Sequence, residues 1–151
     1  YLIAGTGDEE YTNQIKQQIA SNNLESRVRM LGMVKGDEKL SLYQAANVFA
    51  LPTSQENFGF VLPEALACSV PAITTKGVDT WPELEASGST LIAEQSAEAF
   101  AASIADLLPD EPRQREMGTK GRDWVLTNLD PEVVSGRYAS LYQQAAQTAA
   151  R

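Results

Sequence analysis

Val48-Phe49-Ala50-Leu51-Pro52-Thr53-Ser54-Gln55-Glu56-Asn57-Phe58-Gly59-Phe60-Val61-Leu62-Pro63-Glu64-Ala65-Leu66-Ala67 joins a short apolar run to a turn and then to a helix-forming stretch. Val48–Leu51 has the length and composition of a buried strand, and the residues after Gly59 have those of a helix start. Pro63 suits the first turn of that helix, because the first N–H groups of a helix have no internal partner and a proline there forfeits little. The unit is a strand, a loop and a helix.

The same alternation runs on both sides of it. Strands are expected at Tyr1–Ala4, Val28–Leu31, Val48–Leu51, Ala72–Thr74 and Thr90–Ile92. Between them, Glu9–Ala20 sets Tyr11, Ile15 and Ile19 on one helical face, and Asp37–Ala46 sets Leu40, Leu42 and Tyr43 on another. Strands alternating with helices predict an α/β fold, a Rossmann-like parallel sheet of about five strands with flanking helices. After the last strand the pattern turns helical. Ser96 is the expected N-cap of a helix with Phe100, Ile104, Leu107 and Leu108 on its buried stripe, ended by Pro109 and Pro112. A helix over Gln114–Leu129 follows, then Asp130-Pro131 starts a last helix with Val134, Tyr138, Leu141 and Tyr142 on its packing stripe. There are no repeats or linkers, so residues 1–151 read as one domain.

Composition removes several function classes. The chain has one cysteine, Cys68, and no histidine, which leaves no internal disulfide, no imidazole base and no zinc-type ligand set. A net charge of −8 argues against a nucleic-acid partner, since phosphate-backbone affinity rests on clustered Lys and Arg. No apolar run approaches the length of a transmembrane segment and no leader-like start is present, so the expectation is a soluble, cytoplasmic protein. The opening Tyr1-Leu2-Ile3-Ala4, an apolar strand without an initiator Met, reads as the start of a fragment cut from a larger two-domain protein, truncated at its N-terminus.

Open parallel sheets bind ligands beyond the carboxyl ends of their strands. The first such loop, Gly5-Thr6-Gly7, has Glu10 where a dinucleotide fingerprint needs its third glycine, and Asp8-Glu9-Glu10 complement the helix dipole and repel phosphate. It reads as a tight turn. At Gly59, by contrast, no side chain blocks an anion from the backbone, and the following N–H groups point outward. Glu56 lies before this turn and Glu64 about one turn into the helix. Carboxylates only accept hydrogen bonds, which suits the donor hydroxyls of a sugar. The same spacing also fits a Glu56 that braces its own loop and a Glu64 that is simply a solvated helix residue.

Glu56-Asn57-Phe58-Gly59 through Glu64-Ala65-Leu66-Ala67 resembles the Glu-x-Phe-Gly to Glu-Ala-x-Ala stretch of glycosyltransferase family 4. The likeness extends to Gly32-Met33-Val34, Tyr43–Phe49, Pro71–Thr75 and the Tyr138–Tyr142 helix, and so covers nearly the whole chain. It implies the C-terminal, nucleotide-sugar-binding half of a GT-B fold. It further implies that Glu56 is the catalytic residue against the donor hexosyl ring, and that the N–H groups of Asn57, Phe58, Gly59, Phe60 and Val61 meet the sugar and distal phosphate. Glu64 would accept from the ribose hydroxyls, Gly32, Met33 and Val34 would meet the base, and Lys76 and Gly77 would complete the donor pocket. Transfer with retention of anomeric configuration is implied, with no cofactor and no bound metal.

The sequence also departs from that family. The Arg and Lys that clamp the donor diphosphate there have no counterpart, and Ser69 stands where a glycine is usual. The resulting expectation is a donor-binding half of a hexosyltransferase, lacking the N-terminal acceptor-binding domain and inactive alone. The alternative is a non-catalytic nucleotide-sugar-binding module.

Overall fold

The computed structural model describes residues 1–149. Strands β1 (Leu2–Ala4), β2 (Arg29–Gly32), β3 (Phe49–Leu51), β4 (Ala72–Thr75) and β5 (Thr90–Ala93) fall where the apolar runs place them. Helices α1 (Glu9–Ser21), α2 (Gly36–Ala45), α3 (Val61–Ala67) and α4 (Trp81–Ala86) intervene, and α5 (Ala97–Leu107), α6 (Glu111–Asn128) and α7 (Pro131–Ala149) follow. Every strand pairing is parallel. The pairings form two hydrogen-bonded sheets, β1-β2 and β3-β4-β5. The chain likewise divides into two compact units, Tyr1–Leu42 and the remainder from Tyr43 onward.

In the first unit, β1 pairs with β2 from Leu2↔Arg29 to Ala4↔Gly32, with an irregularity after Ile3. Asp8 caps α1 by accepting from the N–H of Tyr11 at 3.1 Å. None of this unit's residues is buried. Tyr11 and Leu40, expected on the inward faces of α1 and α2, are exposed, because two short strands offer too little surface to cover a helix stripe.

In the second unit, β4 is the central strand and wholly buried. Leu62 and Leu66 of α3 pack with Ala72, Val78 and Leu84 on one side of it. Ile73 packs with Ala93, Phe100, Leu107 and Met117 on the other. Ser96 caps α5 as its sequence predicts, accepting from the N–H of Ala99 at 3.1 Å. Asp130 does the same for α7, accepting from the N–H of Glu132 at 2.9 Å. Gly118 and Gly121 let α6 lie close on α3: a Cβ on Gly118 would run onto the carbonyl of Ser69, and one on Gly121 would stand 2.7 Å from Leu66.

Four further expectations change. Pro112 does not end α5 but lies in the first turn of α6, which starts at Glu111 behind an Asp110 cap. Leu108 is the C-cap of α5, beyond its last buried turn, and is exposed. Tyr138, Leu141 and Tyr142 of α7 are exposed, since periodicity marks an apolar face without supplying anything to cover it. Between Ala72–Thr74 and Thr90–Ile92, where no helix is expected, α4 forms with Pro82 in its first turn.

Candidate functional site

The loops leaving β3 and β4 emerge side by side at the carboxyl ends of paired strands, and threonine hydroxyls lace them together. Thr74 Oγ1 donates to the carbonyl of Leu51 at 3.0 Å, and Thr75 Oγ1 to that of Thr53. Thr80 Oγ1 donates to the carbonyl of Phe58 at 3.1 Å. Between these anchors Glu56 and Val78 form a parallel bridge, in which Glu56 N–H donates to Gly77 at 2.8 Å and Asp79 N–H to Glu56 at 3.0 Å. Gly77 has no room for a side chain, because a Cβ would collide with the carbonyl of Thr53 and lie 2.8 Å from the carbonyl carbon of Ser54. Its N–H is held by Thr75 Oγ1 at 3.1 Å. Lys76 is exposed, with Nζ 5.2 Å from the centre of the Trp81 ring.

Gly59 turns the chain into α3 at a φ of +66°, a left-handed conformation that disfavours side chains. It is buried, and a Cβ there would lie 3.1 Å from both Leu62 and Val78 and 3.3 Å from Glu56 Cγ. The Glu56 side chain therefore passes directly over the glycine turn, while the residue as a whole stays exposed. No side chain caps α3. Leu62 N–H closes onto Gly59 at 2.8 Å and Glu64 N–H onto Phe60 at 3.1 Å. Among the described residues, no protein acceptor takes the N–H groups of Asn57 through Val61. Phe60 projects into solvent, its ring 4.7 Å from that of Phe58.

Glu64 is half-buried in the first turn of α3 and accepts from Tyr43 Oη at 3.0 Å on its Oε2. Tyr43 is buried and meets Phe49 edge-on at 5.6 Å. Burial, and then the bond to Glu64, raise its phenol pKa well above the ordinary tyrosine value, so Tyr43 stays a donor.

The structure thus brings together Glu56, Asn57, Phe58, Gly59, Phe60, Val61 and Glu64, with Lys76 and Gly77 on the neighbouring loop. Gly32, Met33 and Val34 belong to the first unit, where Gly32 has a φ of +70° and its carbonyl accepts from Gly5 N–H at 2.7 Å. Met33 is exposed. Sequence reasoning missed the hydroxyls of Thr74, Thr75 and Thr80, and placed Tyr43 only on a packing stripe. A cavity of about 850 Å³ lies elsewhere, against Thr90–Ile92, α5 and α6. Two of its cations are spent on neighbours, Arg113 on Asp106 at 2.7 Å and Lys120 on Glu116 at 2.6 Å.

A sequence model described as glycosyl transferases group 1 matches residues 1–124. The chain belongs to that family. Among curated relatives of this group 1 glycosyl transferase chain is N-acetyl-alpha-D-glucosaminyl L-malate synthase of Bacillus anthracis, 34% identical over 93% of the chain. The match covers 36% of that relative, so the chain spans well under half of the protein it resembles. Sucrose-phosphate synthase of Thermosynechococcus elongatus superposes with a TM-score of 0.82 at 28% identity, over 97% of this chain and 38% of that one. HepE of Anabaena, solved in complex with UDP, superposes with a TM-score of 0.77 at 24% identity, over 99% and 40%. The fold is that of GT-B glycosyltransferases, α/β with parallel strands and flanking helices as the sequence predicts.

Proposed function

We propose that the chain is the donor-binding part of a retaining hexosyltransferase that takes its sugar from a nucleotide diphosphate. The observation carrying this reading is the turn at Gly59, with Glu56 over it, unclaimed N–H groups beside it and Glu64 anchored in the helix that follows. A sugar ring offers hydroxyl donors to Glu56. A phosphate is met by the N–H groups of Asn57 to Val61, which favour the charge that builds as the nucleotide leaves. Glu64 takes the ribose hydroxyls. Lys76 and Gly77 approach from the β4–α4 loop.

UDP in the HepE structure supports the nucleotide as ligand class. Family membership supports glycosyl transfer, with the acceptor bound by a part of the protein outside this chain. In this reading the chain alone binds donor but does not turn it over, and transfer needs no cofactor or metal ion. The test is transfer by the full-length protein from UDP- and GDP-hexoses, with the product anomer read by NMR. The expected result is a product with the donor's anomeric configuration, abolished by Glu56→Ala and unaffected by EDTA. An inverted product contradicts the retaining assignment, and a Glu56→Ala variant with full activity contradicts the site.

A further inference from the structure

We propose that Tyr43 is a positioning residue for the nucleotide, its hydroxyl holding the Glu64 carboxylate in the orientation that meets a pair of ribose hydroxyls. The inference rests on the donor-site reading above and extends it to a residue that never touches ligand.

Tyr43 is 7% exposed yet carries a polar group, and a buried phenol must find a partner. Its hydroxyl reaches Glu64 Oε2 at 3.0 Å, across 21 residues of sequence and from a different helix. The bond is charge-assisted and therefore directional. The ring that aims it is fixed in turn: Phe49 of β3 meets it edge-on, and Ala65 and Val70 pack around it. Orientation is thereby passed from the sheet, through an aromatic ring, to a carboxylate.

A glutamate side chain in water samples several rotamers, and a ligand that must freeze it binds more weakly than one that finds it fixed. A carboxylate has about four acceptor positions, and the bond from Tyr43 takes one of those on Oε2. A helix-packing tyrosine that served only the core would need no hydroxyl; phenylalanine would fill the same space.

The test titrates the complete chain with UDP and GDP, and then with the 2′,3′-dideoxy form of whichever binds. Wild type, Tyr43→Phe, Glu64→Gln and the double variant are compared by calorimetry, and a second hydroxyl-free variant, Tyr43→Met, guards against a folding defect. Tyr43→Phe is expected to weaken the ribonucleotide about five- to tenfold. It leaves the dideoxy form unchanged and adds nothing in the Glu64→Gln background. Equal weakening of both nucleotides, or of neither, while Glu64→Gln still erases the ribose preference, overturns the positioning role and leaves the donor site standing. Failure of Glu64→Gln to reduce that preference, or no binding of either nucleotide, overturns the donor-site reading itself.

Discussion

The backbone N–H of Glu56 donates to the carbonyl of Gly77 at 2.8 Å, so the carboxylate nearest the glycine turn is carried on a segment pinned by the neighbouring loop. Two strand-end loops behave as one piece because a parallel bridge and three threonine hydroxyls join them.

Replacing Gly77 by alanine tests that coupling. The added methyl meets backbone of Thr53 and Ser54, which cannot swing aside as a side chain can. The expected cost is about 2–3 kcal/mol by chemical denaturation, with displaced amide resonances from Thr53 to Glu56. A Gly77→Ala chain as stable as wild type, with those resonances unmoved, contradicts the packing described.

Gly59→Ala combines two penalties. A left-handed φ of +66° costs a residue with a Cβ about 1–2 kcal/mol. Contacts at 3.1 Å to Leu62 and Val78 add packing strain. Urea denaturation should therefore register a loss of at least about 1 kcal/mol, together with weaker binding of any anion at the start of α3.

Ser69 is the mirror case. It stands at a φ of +61° just past the C-cap of α3, where its N–H bonds to Leu66 at 2.8 Å and that of Val70 to Ala65 at 3.1 Å. Helices commonly end this way on glycine. Ser69→Gly relieves the strain at some entropic cost in the unfolded chain, and a net gain of about 0.5–1 kcal/mol is expected. Thermal unfolding decides it, since a lower midpoint for the variant is incompatible with a strained Ser69.

Tyr43 makes the stability of the fold depend on pH on the alkaline side. Its folded pKa is raised above the ordinary 10.0, by burial first and by Glu64 second. Above pH 10 the unfolded chain loses this proton more readily than the folded one, so the stabilisation is complete below that pH and drains away as pH rises toward the folded value. Denaturation midpoints measured upward from about pH 9 should fall less steeply in Tyr43→Phe than in wild type. Parallel curves would contradict the shift.

Much of this was legible in the residues themselves. Five strands, the Ser96 and Asp130 caps and the Gly59 turn follow from local rules, because period, cap chemistry and glycine act over a few residues. The lacing of two loops by Thr74, Thr75 and Thr80 was not legible, since a threonine at a strand end looks the same whether its hydroxyl reaches another strand or water. Tyr43 was visible only as an apolar position. Its bond to Glu64 spans 21 residues of sequence, which no single stretch encodes. The exposed face of α7 shows the converse, a clean stripe in sequence that promised burial by something the stripe itself cannot name.

Amide NMR of the isotopically labelled chain during titration with UDP- and GDP-sugars tests the donor site most directly. One of these ligands is expected to shift the resonances from Gly59 to Glu64, Pro63 excepted, before those of α5 to α7. If both ligands reach millimolar concentration and these amides stay in place, the turn at Gly59 is not where a nucleotide sugar binds.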